Sequence, residues 1–340
     1  MQTLRTETAA GVRHIVLSRG ESYNTITPEL RDELAAAIDD ADADRAVRVI
    51  LLRAEGPAFC AGYGLDWSTR AQAGERAPAD GARSASVGPR PWAPDRGLGV
   101  ASEASGSPQA AAQSRPASAA HAAARSEAQP SGDRIWDSVA DMRMIGRFVD
   151  VYMKLWYASK PTLAAVHGWC IGGGTDMVLC ADFIVAGESA VFGYPPARVW
   201  GTPTTAMWVY RMGLEKAKRY LLTGDEIPAT EAARIGLILE AVPDDQLQTH
   251  AMALAKRMAR LPGNQLAMLK LLCNHTVENM GLGSSRLLGT LFDGVARHTQ
   301  EGLDFVARAG KVGFREAVRE RDDPFGDYGS GPRSRSRRKP

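Results

Sequence analysis

The chain has 340 residues, 44% of them apolar and 24% charged, with a formal net charge of +2. That length and apolar share can fill one large domain or two, and so near a charge balance removes the electrostatic case for a nucleic-acid partner. The N-terminus lacks the basic start and apolar stretch of a signal peptide, and no apolar run approaches the roughly 20 residues of a membrane span, so a soluble cytoplasmic protein with no membrane partner is expected.

In chain order, Val12 to Leu17 reads as a strand and Val47 to Arg53 as a second, more buried one. Between them Thr27 can cap a helix with Pro28 at its first position, and Leu30, Leu34 and Ile38 repeat on one face. From Ser68 to about Arg134 the pattern breaks. Between Ala71 and Pro130, Ala, Ser, Gly and Pro fill 40 of 60 positions, and Val87, Trp92, Leu98 and Val100 are the only large apolar residues. Such a stretch cannot bury enough surface to offset its ordering entropy, so 68–134 is expected to be a disordered insertion in a core formed by 1–67 and 135–245. Strand, helix and strand then recur over Thr162 to Val166, the helix opened by Thr175-Asp176, and Phe183 to Val185, the alternation of an α/β fold. After Asp244 the spacing turns helical: Leu247, Ala251, Leu254 and Met258, then Leu266, Leu269, Leu272 and Cys273, then an amphipathic piece ending near Arg321. This makes 246–327 a C-terminal helical region, followed by a basic tail at 328–340. Cys60, Cys170, Cys180 and Cys273 show no metal-ligand spacing, and three sit in apolar runs. Reduced core thiols and no metal site are expected.

Two glycine-bearing motifs carry the chemistry. One is Ala58-Phe59-Cys60-Ala61-Gly62-Tyr63; the other runs Val166-His167-Gly168-Trp169-Cys170-Ile171-Gly172-Gly173-Gly174-Thr175-Asp176. The second reads as an apolar strand that ends in three glycines and becomes a helix. Backbone N–H groups there point outward at the positive end of the helix dipole, a place suited to an oxygen gaining negative charge. Two such motifs suggest a two-donor oxyanion hole for a carbonyl.

The motif pair, in this order and context, resembles the crotonase (enoyl-CoA hydratase/isomerase) superfamily, over roughly Val12 to Trp67 and Trp136 to Asp327. The resemblance implies a ββα superhelix with a C-terminal helical layer, through which relatives assemble as trimers or hexamers. It implies an acyl-CoA thioester substrate, with coenzyme A part of the substrate and no separate cofactor. It assigns the oxyanion donors to the backbones of Tyr63 and Gly173. CoA contacts map to Ala61, Gly64, Phe305 and Arg308, and an acid/base carboxylate maps to Asp176, three residues beyond Gly173. A carboxylate at a helix start can equally satisfy N–H groups there.

The sequence also departs from the family pattern. Phe192-Gly193-Tyr194-Pro195-Pro196 matches a stretch in which hydratases carry a second glutamate, but Pro196 stands at that position and cannot carry a proton. Hydration normally asks one group to handle the water and another to protonate the α-carbon. A one-base isomerase, a thioester hydrolase or carbon–carbon lyase, and a catalytically silent acyl-CoA binder therefore stand beside the hydratase. Tyr194 and Arg198 are polar neighbours suited to structural or rim roles. His167 reads as a packing residue at a strand end, and Glu21 stands where hydratases place a lysine toward CoA.

Overall fold

Thr27 starts the first helix as its chemistry predicts. Its hydroxyl accepts a hydrogen bond from the Leu30 N–H at 3.2 Å, and Pro28 occupies the first turn of α1 (Pro28–Ala43). Leu30, Leu34 and Ile38 all face the core. The computed structural model describes residues 1–64 and 138–328. The insertion expected at 68–134 and nearly all of the basic tail lie outside the described residues.

Among the described residues, ten strands make two sheets. The larger has the order β1 (Leu4–Ala9), β2 (Val12–Leu17), β3 (Val49–Ala54), β5 (Thr162–Val166), β7 (Phe183–Gly187), β10 (Glu240–Val242). All its neighbours are parallel except β1 with β2. The smaller has the order β4 (Ala58–Cys60), β6 (Trp169–Ile171), β8 (Val191–Gly193), β9 (Ile227–Pro228), with only the last pair antiparallel. Three times the chain leaves the large sheet and enters the small one within a few residues, from β3 to β4, β5 to β6 and β7 to β8. Each of those strands stacks in parallel on its counterpart from the turn before. This is the ββα superhelix that the sequence leads one to expect.

Helix α2 (Ser138–Tyr157) joins the first turn to the second, and the short α3 (Gly173–Val178) packs inside the spiral. The main core lies between the sheets and these helices, around Phe59, Phe148, Tyr152, Phe192 and Trp208, each at most 1% exposed. A second core covers the outer face of β3, β5 and β7 with Leu247, Ala251 and Ala255 of α7 (Leu247–Ala259). Between these regions lie α4 (Met207–Met212), α5 (Leu214–Leu221) and α6 (Ala229–Arg234).

The C-terminal layer comprises α8 (Gly263–Asn279), α9 (Leu282–Ala296), α10 (Gln300–Val312) and α11 (Phe314–Asp322). The expected final helix is in fact two, broken at Gly313, whose φ of +85° lies in the left-handed region. Leu266 of α8 is buried, whereas Leu269 and Leu272 are 44% and 67% exposed. Leu287, Leu288, Phe292 and Val295 of α9 are exposed as well. Cys60, Cys170 and Cys180 are buried thiols and Cys273 is exposed.

Helix α3 meets β4 with no side chain between them. A Cβ added to Gly174 would lie 2.6 Å from the Cys60 carbonyl oxygen, and one added to Gly173 would lie 2.7 Å from the Tyr63 ring. Alanine has the higher helix propensity, but here it would force backbone apart. We expect Gly174→Ala to destabilise the protein by about 1–3 kcal/mol, the usual cost of overpacking a tight core. The denaturation midpoint in urea measures this, and an unchanged or raised midpoint would show that β4 and α3 can separate at little cost.

Candidate active site

The two glycine motifs converge on one cavity. It has a volume of about 530 Å³, and its wall includes Ala61, Gly62, Tyr63 and Gly64 from the first motif and Ile171, Gly172 and Gly173 from the second. Gly62 O accepts from the Ile26 N–H at 2.8 Å, and the Gly64 N–H donates to Ile26 O at 2.9 Å. These two bonds flank Tyr63 in a parallel bridge with Ile26. In such a bridge the intervening residue directs its own N–H to the opposite side. Gly172 caps α3 with φ +55°, which turns the chain so that Gly173 begins the helix at the cavity wall. Among the described residues no backbone acceptor meets the Gly173 N–H, as expected for a first-turn donor. The wall thus brings the Tyr63 backbone and the first turn of α3 together, and backbone N–H groups at such places are the type that can stabilise an oxyanion.

The Tyr63 ring packs on Gly173 and meets Phe148 edge-on at 5.5 Å between centroids. Its hydroxyl accepts from the Tyr152 hydroxyl at 3.2 Å, and burial raises both phenols well above their ordinary range. Both stay neutral.

Asp176 is fully buried and is not among the residues that line the cavity. One carboxyl oxygen accepts from the Thr204 N–H at 3.2 Å, and the other lies 3.5 Å from the Tyr194 hydroxyl, which donates to Thr202 O at 2.7 Å. Tyr194 does line the cavity. Burial pushes the Asp176 carboxyl up to about 7; hydrogen bonds from Thr204 oppose the shift, and the nearby charge of Asp293 adds to it.

Asp293 went unnoticed in the sequence. It sits on α9 in the C-terminal layer, is 8% exposed and lines the cavity. Burial raises its carboxyl to about 6, with Arg297 pulling it down and Asp141 pushing it up. Nothing in its surroundings along the chain marks it, because it faces the site only through the packing of α9 on α2.

The cations are distributed differently from expectation. Arg308 forms an exposed ion pair with Glu320, with Nη2 at 2.6 Å from the carboxylate, and does not line the cavity. Phe305 is buried behind Trp200 and Phe314, which do line it. Arg19, Arg297, Arg315 and Arg321 line the wall against a single acidic lining residue, Asp293. Arg297 is paired with Asp141 at 2.9 Å and Arg321 with Asp322 at 2.7 Å. Arg19 stands two residues before Glu21 in the same turn, so that turn carries a cation after all.

Pro196 also lines the cavity, and a Cβ on Gly172 would meet its ring at 3.5 Å. Arg198 points elsewhere, held by Asp322, Asp327 and Asp225. His167 bonds the Gly56 carbonyl through Nε2 at 2.8 Å and is not among the lining residues. No group of three or more metal-ligating side chains occurs among the described residues, and no described helix is long and apolar enough to cross a membrane.

Fold and site together define a ββα-superhelix protein whose cavity is walled by the glycine-bearing turns of both motifs. Residues 7–84 and 139–316 match the family described as enoyl-CoA hydratase/isomerase. A solved structure of an enoyl-CoA hydratase from Mycobacterium smegmatis is 36% identical, covers 97% of this chain and 96% of its own, and superposes with a TM-score of 0.77. The Mycobacterium tuberculosis protein EchA13, provisionally named an enoyl-CoA hydratase, is 30% identical over 278 residues, spanning 80% of this chain and 72% of its own length. An enoyl-CoA hydratase/isomerase from Xanthobacter autotrophicus Py2, 24% identical with a TM-score of 0.73 over 95% of this chain and 98% of its own, shares the fold. The chain belongs to the enoyl-CoA hydratase/isomerase family, within the crotonase superfamily.

The raised carboxyl of Asp176 has a consequence for stability. An aspartate unfolds to an ordinary value of about 4, whereas here it titrates near 7. The folded state therefore holds the extra proton between those values, and stability falls as pH rises through that window. The contribution is fully present below the unfolded value and lost once pH passes the folded one. Asp176→Asn removes this dependence, so its stability relative to the parent should rise from about pH 4 to about pH 7.5. Urea midpoints across that range measure it; a constant difference would mean that Asp176 is ionised in the fold at all these pH values.

Proposed function

We propose that this protein acts on acyl-CoA thioesters by enoyl-CoA hydratase/isomerase chemistry, through a thioester enolate. The observation that carries this reading is the convergence of the Tyr63 and Gly173 backbones on one cavity wall. One oxyanion donor is typically worth ~3 kcal/mol of barrier, and the two N–H groups would hold the thioester oxygen as it becomes an enolate. The acyl chain would lie along Ile145, Tyr63 and Trp200. Ala61 and Gly64 offer backbone groups to the adenine. Asp176 would serve as the acid from behind the wall, beside Tyr194, which lines the cavity. CoA brings its phosphates as part of the substrate, and four arginines against one aspartate in the wall suit an anion.

A homotrimer or hexamer is the proposed assembly. The exposed Leu269, Leu272, Leu287, Leu288 and Phe292 on α8 and α9 form an apolar surface that a second copy would cover. Light scattering should give three or six chain masses, and a monomer at micromolar concentration would refute the assembly.

The reaction is tested by incubating the protein with a panel of enoyl- and acyl-CoA thioesters, read by mass spectrometry. We expect a mass gain of one water on an enoyl-CoA. Unchanged mass with altered retention would indicate isomerisation, and release of CoA a hydrolase. Binding with no change at all would leave a silent acyl-CoA carrier. In the same series CoA affinity should fall with ionic strength and should weaken in Arg315→Ala more than in Arg308→Ala. Equal losses in the two variants would return Arg308 to the site.

A further inference from the structure

Two carboxylates, not one, serve this cavity, and they come from distant parts of the chain. Asp293 occupies the wall itself, among Tyr63, Tyr194 and Arg297. Among the described residues it is the only acidic one in the wall, which also includes Gly173 and Pro196. It is nine-tenths buried, with Arg297 Nη1 at 3.6 Å and the Thr202 backbone N–H bonded to it. Arg297 is shared with Asp141, which also takes His298 Nε2 at 2.8 Å, so the α9 carboxylate has only part of one cation. A buried carboxylate that shares its nearest counter-charge with another acid is costly to keep, and such groups cluster at functional sites.

We propose that Asp293 is the second acid/base residue of this active site, the group that takes a proton from water as it adds to the enoyl-CoA β-carbon. This rests on the enoyl-CoA reading given above. The water oxygen bonds to the β-carbon and loses a proton to the Asp293 carboxylate. The double-bond electron pair moves into the thioester, whose oxygen is held by the Tyr63 and Gly173 N–H groups. The enolate then collapses as its α-carbon takes a proton from the Tyr194 hydroxyl, resupplied by Asp176. One water is consumed and no other reactant is required; the proton on Asp293 returns to Asp176 through solvent after product leaves.

The electrostatics suit both roles. Burial raises both carboxyls, Asp176 to about 7 and Asp293 to about 6, which brings both into the range where a carboxyl can give or take a proton near neutral pH. The charged groups facing Asp293 are Arg297 of its own helix, Asp141 of α2 and Asp176 of α3. The second carboxylate that Pro196 cannot supply thus reaches the cavity from the C-terminal layer.

The test separates water addition from enolate formation. Crotonyl-CoA hydration is measured alongside deuterium exchange at the α-carbon of butyryl-CoA, in the parent, Asp293→Asn and Asp176→Asn. We expect Asp293→Asn to lose about 100-fold or more in kcat for hydration, a usual cost for a missing acid/base, with KM and α-exchange near parental. Asp176→Asn should lose both activities. Parental hydration in Asp293→Asn overturns the proposal alone, and so does equal loss of exchange and hydration, which would mark a structural role. A parent that exchanges but does not hydrate overturns it too, whereas a parent that does neither overturns the enoyl-CoA reading itself. Should Asp293→Asn fail to fold, kcat/KM for parental hydration decides. It should rise through about pH 6, and a flat profile there would overturn the proposal.

Discussion

Everything in this site depends on a backbone-to-backbone contact. Helix α3 begins so close to β4 that neither Gly173 nor Gly174 has room for a Cβ, the one against Tyr63 and the other against Cys60. That contact brings the end of β6 beside the end of β4, whose parallel pairing runs from Ala58–Trp169 to Cys60–Cys170. The Tyr63 and Gly173 backbones, from segments a hundred residues apart, then stand in one cavity wall. Side chains could not do this with the same precision, because each rotatable bond adds entropy that must be lost when an oxygen is bound. A backbone array locked by two strands and a helix start is already in place.

The wall opposite those donors is held by charge. Arg198, with a side chain only 2% exposed, bonds Asp327 at 2.7 and 2.8 Å and Asp322 at 3.0 Å, and its guanidinium lies 3.9 Å from the Phe325 ring centre. Asp322 is itself 1% exposed and bonds Arg321, which lines the cavity. A single cation from the segment after β8 thus pins the end of α11 to the spiral. Buried ion pairs add little net stability, but removing one partner strands the others. The role of this cluster is geometric: it fixes where Arg315, Val318 and Arg321 stand in the cavity wall.

Much of this was legible in the sequence, and the reason is locality. The Thr27 cap, the Leu30–Leu34–Ile38 face, the strands around Val49 and Thr162 and the glycine triplet all act within one turn or one strand, where residue spacing maps directly to geometry. Strand β1 left no signal because only Leu4 is buried and the rest of the strand faces outward. Arg308 illustrates a different limit. A basic residue on an amphipathic helix can face a ligand or a neighbouring carboxylate, and Glu320, twelve residues on, takes it here. Asp293 was invisible for a third reason. Its relation to Gly173 arises from how α9 packs on α2, a long-range fact that no spacing encodes.

The same long-range packing places Pro196 and Asp293 in one cavity wall. The Pro196 ring sits against Gly172, at the cap of the helix that presents Gly173. A rigid apolar residue there braces the oxyanion wall, with φ already restricted, but takes away a proton carrier. Asp293 stands on α9, in a helical layer that exposes Leu287, Leu288, Phe292 and Val295. Phe292 and Asp293 are sequence neighbours about 100° apart around the helix, the first exposed and the second in the cavity wall. Any partner that covers the apolar face bears on the helix that positions the carboxylate. Under the proposed assembly and mechanism, both would act on this one helix, and the order of the C-terminal layer would bear on the chemistry of the cavity beneath it.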